Sequence, residues 1–434
     1  MHIERIRHVL GEYTCLSTRS GGCTIHVPGT LEKPQWTWKM PERLAIDGGE
    51  PVRRAPFPTI WPALGEEDVA AAAEVLRSNR LTSLTSGVVA EFEADFARYQ
   101  GARHALATSS GTTAIHLALA AIDVGPGDEV IVPSHTFIAS ATPVMYQRAA
   151  PVIVDVDTDT YNILPSAVEA AITSRTKAII VVHLAGHPAP MDELTALAER
   201  HGLVLIEDAA QANGALYKGR LVGTMGRMSC FSFWQDKIIT TAGEGGAITT
   251  DDDALFERLA RLRSHGEGPI EGQRRYYHLE LGYNYRISAV QAAVGRVQLG
   301  HLDEYLEARR SNAAYLSAGL QDLPEVQTPL VAEGCVHSYY RYTCKLRTDL
   351  VTVPIDQFQT AVAVEGAPCF RPYPTPLPQQ PVFRNAGYGD RPCPNAETLA
   401  DQLFSVQVHP TVQQQDLDDV IAAIKKVATA YRKG

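Results

Sequence analysis

The sequence predicts an α/β protein, with a three-layer α/β/α large domain around a mostly parallel seven-stranded sheet and a smaller α+β C-terminal domain. Three observations carry this expectation. Between residues 104 and 250 short apolar runs alternate with stretches of helical periodicity, the pattern of strands joined by crossover helices. The runs are rich in Val and Ile with little polar alternation, as strands buried on both faces are. The chain has 434 residues against roughly 150 for a typical domain, enough for one large core and a satellite.

Taken in order, residues 1–39 show no sustained period and read as an irregular N-terminal extension, with Met40 as an alternative start. The domain boundaries expected from this are 1–40, 41–300 and 301–434. The turn-rich segment LAIDGGEPVRRAPFPTIWP leads into a helix over 66–78, where Val69, Ala72, Ala73 and Leu76 share a face. The strand candidates are HALAT (104–108), EVIVP (129–133), PVIVDV (151–156), AIIVVHL (178–184), LVLIED (203–208), MSCFSFW (228–234) and GAITT (246–250). Ser288 can cap a long helix carrying Val290, Val294 and Val297, with helical pattern to about Leu320, that leads out of the large domain. Leu417, Val420, Ile424, Val427 and Tyr431 mark a C-terminal helix, and the Pro-rich segment CFRPYPTPLPQQPVF (369–383) cannot pair as a central strand.

Composition narrows the function. A net charge of −10 repels phosphate backbones and anionic lipid, so nucleic acid is not an expected partner. No apolar stretch reaches the ~20 residues of a membrane span, and no secretory signal is visible. Seven scattered cysteines form neither a disulfide framework nor a CxxC metal site, so a reduced, cytoplasmic protein without a bound metal is expected.

In an open parallel sheet, ligands bind beyond the carboxyl ends of the strands. After HALAT come Ser109, Ser110, Gly111, Thr112 and Thr113 at a helix start, where free N–H groups favour an anion such as phosphate, though alone such a segment is also an ordinary N-cap. After EVIVP, Phe137 places an aromatic ring at a strand end, which by itself could be core packing. LVLIED closes on Asp208, either a helix cap or the partner of a buried protonated group. Lys237 follows the next run and precedes the Gly-rich AGEGG, where backbone can approach a ligand closely. An anion cradle, an aromatic face, an acid and a lysine together match pyridoxal 5'-phosphate. That cofactor has a phosphate to anchor, a ring to stack, a ring nitrogen to keep protonated and an aldehyde that binds lysine as a Schiff base.

At these residues the sequence resembles the DegT/DnrJ/EryC1/StrS family of aminotransferases, of the fold-type I, aspartate aminotransferase-like class. The resemblance spans about residues 42–432 and is carried by SSGTTAIHLAL, PSHTFIASA, LIEDAAQANGA, FSFWQDKIITTAGEGG and LGYNYRISAVQAA. It implies that Lys237 is the Schiff-base lysine, that Asp208 faces the pyridine nitrogen, that Phe137 stacks on the ring and that Gln211 lies near the ring hydroxyl. It also implies phosphate contacts from Gly111, Thr112 and Ser232, and one from Asn284 to the neighbouring subunit, hence a homodimer with shared active sites. The expected reaction moves an amino group from L-glutamate or L-glutamine to a keto-sugar or a related keto-cyclitol or carbocycle, in secondary-metabolite or polysaccharide biosynthesis. The segment IITTAGEGG is more similar to 3-amino-5-hydroxybenzoate synthases and some polysaccharide-locus enzymes, whereas Trp234, Gln235 and Asp236 depart from the synthases. The resemblance therefore leaves the keto substrate open. Tyr276, Tyr277, His278, Arg371 and Tyr373 are candidates to line its pocket.

Two other readings remain at this level. The same scaffold supports dehydratases, aldolases and other lyases, since the cofactor selects a bond by substrate orientation; the family's sugar dehydratases resemble members with His in place of the lysine. A non-catalytic partner or regulatory subunit could keep the fold without the chemistry.

Overall fold

The structure, a computed structural model, describes residues 15–17, 23–25, 43–58, 61–268 and 276–434. Two compact units emerge, Met1–Glu42 and Arg43–Gly434. The extension expected to be irregular lies mostly outside the described residues; within it Cys15–Ser17 pairs antiparallel with Cys23–Ile25.

The second unit is built on a seven-stranded sheet. Its strands are β1 (His104–Thr108), β2 (Glu129–Pro133), β3 (Ala150–Val154), β4 (Thr176–Val182), β5 (Val204–Asp208), β6 (Met228–Ser232) and β7 (Gly246–Thr250). They lie in the order β1-β7-β6-β5-β4-β2-β3, with β7 antiparallel to both neighbours and every other pair parallel. The absence of polar alternation has the expected cause, because both faces are covered. Ile180, Ile206 and Cys230 pack on one face with α3 (Gly111–Ala121) and α5 (Asp253–Arg263). Their neighbours Ile179, Val181 and Leu205 pack on the other with α4 (Met191–His201), while Ala105, Ala107 and Phe231 meet Phe92 and Phe96 of α2 (Val88–Gln100). The helix expected over 66–78 is α1 (Glu66–Ser78).

Two elements differ from expectation. The regular strand in MSCFSFW ends at Ser232: the Phe233 N–H still reaches the Gly245 carbonyl at 2.8 Å, but the Phe233 carbonyl accepts from the Thr241 N–H at 3.1 Å and the Thr240 hydroxyl at 3.1 Å, which turns the chain into a loop. The long helix after Ser288 is two helices, α6 (Ala289–Gly300) and α7 (Leu302–Leu320). Gly300 weakens the helix, and the His301 N–H bonds back three residues to Gln298 at 3.1 Å. The apolar stripe continues across the break through Leu299, Leu302 and Leu306, so periodicity does not reveal it.

A second, antiparallel sheet follows, with strands β8 (Val326–Gln327), β9 (Tyr342–Leu346), β10 (Cys369–Phe370) and β11 (Leu403–Val406) in the order β8-β9-β11-β10. The Pro-rich segment contributes only the two-residue edge strand β10 before leaving the sheet. The core here gathers Phe358 of α8 (Ile355–Val364), Phe404, and Leu417, Ile421 and Ile424 of the C-terminal helix α9 (Gln414–Ala430). Leu44 and Phe57, far away in sequence, complete it. Among the described residues no helix is long and apolar enough to cross a membrane.

Burial pushes the imidazoles of His116, His135, His187 and His409 down to about 4, so each is neutral in the folded chain at pH 6. The unfolded chain, with histidines near 6.5, binds more protons between those values. The sign is therefore fixed: this contribution is complete above pH ~6.5 and is lost as the pH falls toward 4. Urea denaturation should show stability declining from pH 7 to pH 5, with roughly four protons taken up on unfolding near pH 5.5. Stability that is flat or rising across that interval would contradict the neutral assignment.

Candidate active site

The site is assembled where β1, β2, β5 and β6 end. Strand β5 is central and buried, and its last residue, Asp208, aligns with Val182 of β4 and Cys230 of β6. The Ser140 hydroxyl donates to Asp208 Oδ2 at 2.7 Å and the Ala210 N–H to Oδ1 at 3.1 Å. Ser140 is in turn 3.1 Å from the Thr136 hydroxyl. Burial nevertheless raises the carboxyl above its ordinary value, against the opposing effects of Ser140, the Ala210 N–H and the charge of Lys237. A carboxyl so placed calls for a protonated partner.

Its neighbour Glu207 points to the other face and is tied into the scaffold. It accepts from the N–H groups of Gly223 at 2.8 Å, Met225 at 2.7 Å and Gly226 at 2.6 Å, and from the Ser229 hydroxyl at 3.0 Å. His183 Nδ1 accepts from the Ala189 N–H at 3.0 Å, so Nε2 carries the proton that meets Glu207 at 3.1 Å. Burial pushes Glu207 up, yet His183 and the N–H donors hold it below its ordinary value.

Beyond β1, Ser110 caps α3 by accepting the Thr113 N–H at 3.1 Å. Gly111 and Thr112 then present the first N–H groups of the helix, which have no intrahelical acceptor. Absence of a side chain is required there, because a Cβ on Gly111 would stand 2.8 Å from the Ser232 Cβ. A Cβ on Gly246 would meet the Ser110 carbonyl carbon at 2.5 Å. The ends of β1, β6 and β7 thus converge on one small cradle, with the Ser232 hydroxyl beside it. Asn284 is exposed on this chain, while the adjoining Tyr285 carbonyl accepts from the Ser109 N–H at 2.9 Å and holds that segment against the cradle.

Lys237 lies on the loop between β6 and β7. Its N–H donates to the Trp234 carbonyl at 2.8 Å, and its own carbonyl accepts from Trp61 Nε1 at 2.9 Å. The ammonium stands 4.3 Å from the centroid of the Tyr340 ring. Burial pushes the Tyr340 phenol up, but Lys237 and Arg341 outweigh it and leave the phenol below its ordinary value. Phe137 is 56% exposed after β2, an open aromatic face. Gln211 is oriented from both ends: the Ala185 N–H donates to its Oε1 at 2.8 Å, and its Nε2 donates to the Tyr373 hydroxyl at 2.9 Å.

A cavity of about 220 Å³ opens here between the two sheets, with Gln211, Tyr340, Arg341, Arg371 and Tyr373 in its wall. Arg341 pairs with Asp236, next to the lysine, and lies 4.7 Å from the centroids of both Tyr340 and Phe370. Of the pocket candidates, Arg371 and Tyr373 line this cavity; Tyr276, Tyr277 and His278 are exposed elsewhere on the chain, Tyr276 at 79%. Sequence reasoning did not single out Ser140, Tyr340, Arg341 or Trp61. The cluster SYYRY was the available signal for two of them.

These residues fit a planar cofactor with a phosphate at one end and a basic ring nitrogen at the other. The glycine cradle with helix N–H groups suits the phosphate, and the raised carboxyl of Asp208 suits a protonated ring nitrogen. Fold and site together define a pyridoxal-phosphate-dependent aminotransferase of fold type I. Residues 62–425 match the family model of the DegT/DnrJ/EryC1/StrS aminotransferases, and the chain belongs to that family. It is 42% identical over 342 residues to GDP-perosamine synthase of Caulobacter vibrioides, covering 78% of this chain and 90% of that one. It is 37% identical over 423 residues to L-glutamine:2-deoxy-scyllo-inosose aminotransferase of Micromonospora echinospora, covering 90% and 99%. The solved PLP form of a putative sugar aminotransferase from Streptococcus pneumoniae superposes with a TM-score of 0.80 at 26% identity, covering 87% of this chain and 99% of that one.

Closing the cradle should weaken the cofactor. In Gly111→Ala the new methyl displaces Ser232, and cofactor affinity, followed by fluorescence titration of the apoprotein, should fall about tenfold, the equivalent of one charge-assisted hydrogen bond. Affinity equal to that of the unsubstituted chain would place the phosphate elsewhere.

Proposed function

We propose that the chain moves an amino group from L-glutamate or L-glutamine to the ketone of a sugar or cyclitol ring, and that the strand-end residues perform it. The observation that supports this reading is that the charge of Lys237 acts on the buried Asp208 carboxyl, while its ammonium stands 4.3 Å from the ring of Tyr340, a residue that lines the 220 Å³ cavity. The names printed for the two relatives, one acting in perosamine synthesis and one on an inosose, support an acceptor of this kind.

When bound, pyridoxal phosphate supplies an aldehyde that takes up the amino group and a ring that accepts the electron pair released at the substrate carbon. Asp208, fixed by Ser140 and the Ala210 N–H so that it does not rotate away, would keep the proton on the ring nitrogen. Lys237 would hold the aldehyde carbon at rest, and its amine, once freed by the donor, would move the proton at the substrate carbon as base and then as acid. Phe137 would cover one ring face and Gln211 would hold the ring hydroxyl. Gly111, Thr112 and Ser232 would hold the phosphate, with Asn284 serving the phosphate of a second subunit in a homodimer. Tyr340 faces the ammonium of Lys237 and favours the return of the side chain to that position.

Purified protein should be yellow, bleach on addition of the amino donor and recover its colour with the keto acceptor. Lys237→Ala should lose the absorbance of the lysine-bound cofactor. Asp208→Asn should keep that absorbance and lose about 10³-fold or more in turnover, roughly 4 kcal/mol of transition-state stabilisation. Normal turnover in that variant would remove Asp208 from its role. Mass spectrometry of mixtures with paired donors and ring ketones identifies the substrates.

A further inference from the structure

Six histidines are buried among the described residues: His116, His135, His183, His187, His337 and His409. Five are tied to the fold. His116 meets Tyr285 and Gln147, His183 meets Glu207 and the Ala189 N–H, and His187 meets Asn162 and the Ala332 N–H. His337 accepts from the Tyr339 N–H, and His409 meets Gln407 and Thr411. His135 differs. It is 1% exposed, and neither ring nitrogen has a hydrogen-bond partner among the described residues.

The ring is nevertheless held in place. The flanking Ser134 N–H donates to the Val154 carbonyl at 2.8 Å, and the Ser134 carbonyl accepts from Leu377 at 2.9 Å. The imidazole stands edge-on to Tyr373, with centroids 5.7 Å apart, and lines the 220 Å³ cavity. An imidazole buried with both nitrogens idle costs the fold free energy that an apolar side chain of similar size would not. The ring is part of the cavity lining, and no group among the described residues satisfies its nitrogens.

We propose that His135 reads a ring hydroxyl of the amino acceptor and so sets acceptor specificity. Burial holds the ring neutral at working pH, with one N–H donor and one bare nitrogen acceptor. A hydroxyl offers the same pair, one donor and one acceptor. A carboxylate or phosphate offers only acceptors and gains nothing from the bare nitrogen. The cations of the cavity are already engaged: Arg341 with Asp236, and Arg371 with Asp356 and the Ala400 carbonyl. The phenols of Tyr340 and Tyr373 add further neutral groups to the same wall. A cavity of this volume lies below the ~300–1,000 Å³ of sites for drug-sized ligands and suits a single polyhydroxylated ring. The assignment rests on the transamination reading above.

The test uses holoenzyme carrying the aminated cofactor, with 4-keto and 3-keto hexoses and pentahydroxycyclohexanone as acceptors and cyclohexanone as the control without hydroxyls. In His135→Phe the KM for the best polyol ketone should rise at least tenfold while kcat stays within about threefold, and His135→Asn should recover most of the loss. The KM for cyclohexanone and the rate of bleaching by the amino donor should not change. In 15N-histidine-labelled wild-type protein the polyol ketone should shift the His135 ring resonances, a measurement that does not depend on the variants folding. The proposal is overturned by an unchanged KM in His135→Phe, by an equal rise for cyclohexanone, by unshifted ring resonances, or by no polyol ketone saturating the wild type. Failure of the donor to bleach the enzyme would instead overturn the transamination reading itself.

Discussion

A carboxylate at the end of a strand buried on both faces is the constraint on which the rest of the site depends. Asp208 ends β5 in the middle of the sheet, where water cannot compensate its charge, and among the described residues it receives only one hydroxyl and one N–H. In the proposed reading a protonated ring completes that arrangement. The ring nitrogen would then lie at this carboxylate and the phosphate at the helix cradle of Gly111, with the remaining contacts arranged between those two points.

The residue before it shows how such a group is kept in register. Because side chains alternate along a strand, Glu207 faces away from Asp208 and is held by three backbone N–H groups, Ser229 and His183. His183 is also the residue whose N–H donates to the Asp208 carbonyl at 3.2 Å. One face of the strand is saturated with partners and rigid, and the other is left short of them. Two adjacent acids of similar burial therefore take opposite shifts, Glu207 downward and Asp208 upward.

Much of this was legible in the sequence, for identifiable physical reasons. Continuous Val and Ile exposed the strands because both faces are covered, and a parallel sheet gathers the ends of its strands on one edge, so Gly111, Phe137, Asp208 and Lys237 could be grouped without coordinates. The break at His301 was not legible, since an apolar stripe runs through it. Of the second half of the pocket, Arg371 and Tyr373 were legible, but Tyr340 and Arg341 were not. Tyr340 reaches Lys237 and Arg341 reaches Asp236 across about a hundred residues of chain, and Leu44 and Phe57 close a core made otherwise of C-terminal residues. Contacts of that separation leave no periodic trace. His135 sat in plain view inside PSHTFIASA, yet what distinguishes it is a lack of partners, which only a structure can show.

The reversed strand β7 gives the lysine a particular mechanical character. Ser232 and Gly246 pair directly across the ladder, and the loop between them is cross-braced by Phe233 to Gly245 and Gln235 to Gly243, so both stems of the hairpin are clamped. The peptide carrying Lys237 has almost no freedom to wander, and its amine explores only the arc swept by its own four methylenes. In the role proposed for Lys237, a nucleophile tethered in this way would stay at high local concentration after it lets go, and recapture would depend on rotation about a few single bonds rather than on a loop finding its way back.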